Sequence, residues 1–161
     1  MHKIIIIGCP GSGKSTFSFA LQKKTGLPLY HLDNIWWDPD RTHITRDEMD
    51  KQQLALVSKD EWIIDGDYSR TYSIRFAACD TIFFLDYPES VCMTGITERI
   101  GKDRPDIPWT EQWLDPELVE EVKNYAEQKR PMVLRLIATY SEKQVFIFHS
   151  REETEKWLSE Y

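Results

Sequence analysis

The run Gly8-Cys9-Pro10-Gly11-Ser12-Gly13-Lys14-Ser15-Thr16 constrains this chain more than any other stretch. It fits G-x-x-x-x-G-K-[ST], in which glycines let the backbone curl so that successive N–H groups point at one anion. The flanks supply the context such a loop needs. Lys3 to Ile7 is a short β-branched apolar run, the composition of a strand buried on both faces. A helix is expected from about Lys14 to Lys24, with Phe17, Ala20 and Leu21 on one side and a stop at Gly26 and Pro28. That helix aims the positive end of its dipole at the loop. Loop residues 8–16 are then expected to cradle the phosphates of ATP or GTP, with Lys14 on the terminal phosphates and the Ser15 hydroxyl on Mg²⁺. Cys9 is read as a small loop side chain without reactivity.

The rest of the chain alternates in the same manner. Leu27 to Leu32 reads as a second strand ending at Asp33, and Thr45-Arg46-Asp47-Glu48 has the spacing of a capping box for a helix reaching about Ser58. Glu61 to Asp65 and Thr81 to Asp86 are two further apolar runs, each closing on an aspartate. Pro88 suits the first turn of a helix reaching about Ile100, and the polar run from Gly101 to Pro108 reads as a loop. Asp115-Pro116-Glu117 starts another helix, which Pro131 breaks or kinks. Val145 to Phe148 is a fifth strand, and Ser150 with Glu153 caps a final helix. Five apolar strands alternating with helices imply one α/β domain of three layers, a parallel sheet with helices on both faces. Ligands bind such sheets at the carboxyl ends of the strands, where Asp33, Asp65 and Asp86 are expected.

Phosphoryl chemistry assigns work to these aspartates. A phosphate loop draws a second magnesium contact from an aspartate ending a neighbouring strand. Asp65 is preferred over Asp86, because a polar loop follows Asp65 whereas Tyr87-Pro88 and a helix follow Asp86 at once. Asp33 is a candidate to orient or deprotonate an acceptor hydroxyl, with a turn or cap role as the alternative. Trp36 and Trp37 just after it read as core or as a stacking surface. Arginines neutralise the charge that spreads over a moving phosphoryl group. Arg99, at the end of the helix after Pro88, and Arg104, in the proline-bearing polar loop that follows, are placed to close over the site, and Arg70 and Arg75 are candidates to hold the acceptor or the phosphates.

Charge and cysteines narrow the partners. The formal net charge is −7 and no basic run exceeds two residues, which argues against direct nucleic-acid binding and against anionic membranes. Three widely spaced cysteines support neither a disulfide framework nor a zinc site, consistent with a reducing cytoplasm. The apolar start at Ile4 to Ile7 is too short for a signal peptide, and no run approaches the ~20 apolar residues of a membrane span.

In order and content these parts resemble nucleoside monophosphate kinase-like (adenylate kinase-like) P-loop kinases, and more narrowly the small bacterial DNA topology modulation proteins. GCPGSGKST, HLDNIWWDP, WIIDGDYSRTYSIRFAACDTIFFLDYP and GKDRPD carry the resemblance. It implies a five-stranded parallel sheet in the order 2-3-1-4-5, a mobile lid near residues 101–113, and ATP-dependent transfer to a small-molecule acceptor, a nucleotide among the candidates. The chain would act as a monomer or homodimer. Three departures stand out. Relatives usually carry an arginine where this chain has Gly95, an asparagine where it has Asp67, and a cysteine soon after the R-P-D, where it has Ile107-Pro108-Trp109. A nucleotide-binding regulator with little turnover, or a DNA topology-related factor, is the alternative reading.

Overall fold

Ile4 to Ile7 are wholly buried, and four consecutive apolar residues are satisfied together only at the centre of a sheet covered on both faces. In the computed structural model, which describes residues 1–161, they lie in β1 (Lys3–Gly8). A helix, α1 (Lys14–Thr25), follows the phosphate loop and stops at Gly26 in the left-handed conformation. Next come β2 (Leu29–His31), α2 (Leu32–Trp36), α3 (Arg46–Val57), β3 (Trp62–Asp65), α4 (Tyr72–Ala78) and β4 (Thr81–Leu85). The chain continues through α5 (Glu89–Glu98), α6 (Pro116–Gln128), α7 (Arg130–Thr139), β5 (Gln144–Phe148) and α8 (Arg151–Glu160). All strand pairs are parallel, in the order β2-β3-β1-β4-β5, which is the order expected.

Local chemistry explains the boundaries. The Glu48 N–H donates to the Thr45 hydroxyl at the start of α3, and the Glu153 N–H donates to the Ser150 hydroxyl at the start of α8, each 3.2 Å long. Pro131 occupies the first turn of α7, so the break expected from it separates α6 from α7. Phe17, Phe83, Phe146 and Trp157 interlock at centroid distances of 4.9–5.2 Å where they touch β4 and β5, fixing α1 and α8 to that side of the sheet.

The second strand is shorter than its apolar run suggests. Leu32, Ile35 and Trp36 stand at helical spacing and pack into the core cluster or against it, so the chain turns helical one residue before Asp33. Asp33 therefore sits in the first turn of α2 rather than at a strand end. The helix α4, not read from the sequence, follows the polar loop after β3, and Tyr72 and Phe76 bury it. Residues 99–115 form an irregular connection between α5 and α6. No helix is long and apolar enough to cross a membrane.

Candidate active site

The loop after β1 sits at the N-terminus of α1, on the wall of a cleft of about 1370 Å³. Gly11 and Gly13 have φ of 80° and 91°, conformations that side-chain-bearing residues rarely adopt. Space is equally restrictive. A Cβ at Gly11 would lie 2.1 Å from the Cys92 carbonyl oxygen, and one at Gly95 2.0 Å from the Gly11 oxygen. The backbone of α5 thus rests directly on the phosphate loop, and an arginine at position 95 has no room without moving that loop. Lys14 Nζ donates to the carbonyls of Gly8 and Cys9 at 2.8 and 3.1 Å, while the buried Ser12 hydroxyl has no partner. Pro10, Ser15 and Thr16 also line the cleft. Cys9 does not: its thiol is buried, and the neighbouring Cys92 and burial push its pKa far up, so it contributes only its carbonyl.

The aspartates are distributed differently from the sequence expectation. Asp65 ends β3, but its carboxylate is divided between Ser18 Oγ at 2.7 Å and His31 Nδ1 at 2.8 Å, 4% exposed and off the cleft wall. Asp86 is held in two hydrogen bonds by Arg130, at 2.7 and 2.8 Å. The carboxylate beside the Ser15 hydroxyl is that of Asp106, at 2.6 Å, delivered by the connection 99–115. Burial alone would raise the Asp106 pKa, yet Arg104 and Ser15 hold it below the usual range. Asp33 lines the cleft and accepts from Tyr68 Oη at 2.7 Å. Burial raises its pKa, with Asp65 and Asp106 adding to the rise and Tyr68 and Lys14 opposing it.

Of the four arginines singled out, two line the cleft beside the connection. Arg99 donates to Glu111 at 2.7 Å, and Arg104 donates to Glu111 at 2.8 Å and to Asp106. Arg70 lines the cleft too, but it is engaged by Asp50. Arg75 is wholly buried and donates to the carbonyls of Gly66, Asp67 and Tyr68, so it organises the loop after β3 and cannot reach a ligand. Asp67, the residue standing for asparagine, is buried against the Tyr72 hydroxyl and balanced by Lys129 at 3.2 Å.

Sequence reasoning gave Tyr68, Asp106, Trp109 and Glu111 no role. Asp106 lies within the quoted GKDRPD and Tyr68 follows G-D, so position was available as a signal for those two. Nothing local marks Trp109, whose partner Trp37 comes from another segment, or Glu111, whose partners Arg99 and Arg104 stand at no regular spacing from it.

A parallel sheet in this order, with a glycine-rich loop from its central strand entering a helix, defines the P-loop fold in the form found in small kinases. No protein-family model matches the sequence. The chain is similar to the adenylate kinase of Thermotoga neapolitana, 30% identical over 94 residues that cover 56% of this chain and 42% of that enzyme. Adenylate kinase of Thermotoga petrophila is 26% identical over 107 residues, 65% of this chain and 48% of that enzyme. The chain thus matches less than half the length of these relatives. Among solved structures, shikimate kinase from Acinetobacter baumannii in complex with shikimate superposes with a TM-score of 0.63 at 13% identity, covering 99% of this chain and 92% of that one. Shikimate kinase from Bacteroides thetaiotaomicron gives 0.59 at 15% identity, covering 98% and 94%. These structures share the fold.

Proposed function

We propose that the protein is a kinase that transfers the terminal phosphoryl group of ATP or GTP to a hydroxyl of a small molecule. One observation carries this reading: Lys14 on the phosphate loop and Asp33 in the first turn of α2 line one cleft, with the lysine near enough to oppose the rise in the Asp33 pKa. The loop fits a nucleotide phosphate tail. It offers an orphaned buried hydroxyl at Ser12, a lysine resting on its own carbonyls, and the N-terminus of α1. Ser15 would hold Mg²⁺, with Asp106 the carboxylate beside it, and the metal would neutralise charge on the phosphates.

In the transfer, the acceptor oxygen bonds to the terminal phosphorus and the bridging P–O bond to the leaving nucleoside diphosphate breaks, its electron pair staying on the diphosphate. The hydroxyl proton passes to Asp33. Burial supports that role, since a raised pKa brings a carboxylate closer to the strength a general base needs near neutrality. Arg99 at the end of α5 and Arg104 on a lid formed by residues near 101–113 would stabilise the charge that spreads in the transition state. The similarity to adenylate kinases supports nucleotide-dependent transfer, and the shikimate kinase fold supports a hydroxyl acceptor.

Thermal unfolding with and without Mg·ATP tests the nucleotide half of this reading. Ligand at ~100 Kd adds about 2.7 kcal/mol, which for a domain of this size raises Tm by roughly 5–10 °C. Lys14→Ala is expected to lose most of that shift. Equal shifts in both proteins would remove the loop from the account.

A further inference from the structure

The wall around Asp33 is aromatic, and most of the cations near it are already engaged. Residues 36–44 fold back on themselves: Trp37 bridges His43, and Arg41 takes a left-handed φ of 67° at the tip. This tight return holds Trp36 flat on His43 at 4.3 Å and brings its ring to 6.1 Å from Tyr68, the residue bonded to Asp33. Trp37 meets Trp109 edge to face at 5.1 Å, so the connection that carries Asp106 completes the wall. Asn34 Nδ2 donates to the Pro105 carbonyl at 2.7 Å and fastens the same junction.

An anionic acceptor needs positive charge on this side. Arg70 is neutralised by Asp50, Lys129 by Asp67 and Glu121, and Arg75 is buried on carbonyls. Arg41 lies over the Trp113 ring at 4.9 Å, and Arg46 is exposed without a carboxylate partner. Both sit at the rim. The cations whose charge reaches Asp33 are Lys14, which rests on the phosphate loop, and Arg104, which Asp106 and Glu111 engage, so a phosphate or carboxylate seated against Asp33 would add a like charge with no free cation beside it, at a cost that rises as water is excluded. Aromatic faces favour the opposite kind of ligand, the apolar face of a ring whose edge carries hydroxyls.

Resting on the kinase reading above, we infer that the acceptor is an uncharged ring-bearing alcohol, a nucleoside or neutral sugar, seated against Trp36, Trp37 and Trp109 with one hydroxyl at Asp33. The acceptor and the closed connection then share Trp109, so that binding one favours the other.

The test has two arms. Nucleosides and neutral monosaccharides form the first; the matching nucleoside monophosphates, sugar acids and shikimate form the second. ADP release from Mg·ATP is measured with each compound, and tryptophan fluorescence is titrated with the same compounds without nucleotide. At least one compound of the first arm is expected to raise ADP release 10-fold or more and to change fluorescence saturably. Its phosphorylated or oxidised counterpart should do neither. Nucleosides and sugars are told apart by which members respond. Trp109→Ala, in an irregular segment, should raise the acceptor KM about 10-fold with ATP KM unchanged, and Trp37→Ala should do the same. Arg46→Ala should leave the acceptor KM unaltered. Stimulation confined to the charged arm, an acceptor KM that follows Arg46 and not the tryptophans, or no response to any uncharged compound overturns the inference. Because the Mg·ATP shift in Tm is read on the same preparation, failure of nucleotide binding is distinguished from failure of the acceptor assignment.

Discussion

Gly95 shows how much a single position decides. The resemblance expects an arginine there, and its absence invites a reading of weakened catalysis. The contact with Gly11 gives a different account, since the helix backbone occupies the space that any side chain at 95 would need. An exposed helical glycine replaced by alanine usually gains ~1 kcal/mol of propensity. Here the sign should reverse. Gly95→Ala is expected to lower stability by about 1–3 kcal/mol through overpacking against the loop. It should also weaken Mg·ATP binding, because the atom it strikes belongs to the phosphate cradle. Urea unfolding and nucleotide titration check the two effects, and a more stable variant with unchanged affinity would contradict the packing account. Asp67 teaches a similar lesson: a charge in place of an amide is tolerated because Lys129 and the Tyr72 hydroxyl meet it.

Among elements, the joint between β2, β3 and α1 is polar at its centre. His31, Asp65 and Ser18 form one buried hydrogen-bonded chain across the three. Burial lowers the His31 pKa, but the hydrogen bond and charge of Asp65 outweigh it, and the net position is above 6.5. A histidine whose folded pKa is raised contributes its stabilisation in full below 6.5, and that contribution is lost as pH rises through the folded value. Stability should therefore decline across that window in the native chain. His31→Gln should flatten the decline, measured as the pH dependence of urea midpoints. The connection 99–115 is the other element with a test. Arg99 and Arg104 share Glu111, so each is oriented by the same carboxylate. Once an acceptor is in hand, Arg99→Ala and Arg104→Ala should each lower kcat by ~10³–10⁵ with much smaller changes in ATP KM. Equal losses in both quantities would make them ground-state phosphate holders instead.

At the scale of the whole molecule, net charge and fold meet. A duplex-binding surface with six or more phosphate contacts loses on the order of 10³ in affinity between 50 and 200 mM salt. With a net charge of −7, no saturable duplex binding with such a slope is expected, and a titration across that salt range decides it. Alternation and one glycine-rich loop made a parallel sheet covered on both faces legible, and the strand order came from the resemblance to P-loop kinases. The site was legible only in part. Asp65 and Asp86 are the aspartates weighed for the place beside Ser15, and Asp106 takes it through a contact spanning 91 residues. Likewise Arg70 and Arg75 look alike in the chain, and only burial separates a surface ion pair from a structural guanidinium. Such facts are settled by packing, which local periodicity does not encode.

The contact between Asp106 and Ser15 has a bearing on timing. The hydroxyl that magnesium would require is occupied by a carboxylate of the chain itself, held there by Arg104 and by the junctions at Asn34 and Trp109. The hydroxyl spends only its proton on Asp106 and keeps its oxygen lone pairs, so on the kinase reading the metal would join the two side chains where they already stand. Arrival of the metal and settling of the connection would then fall together, because both engage the same pair of side chains.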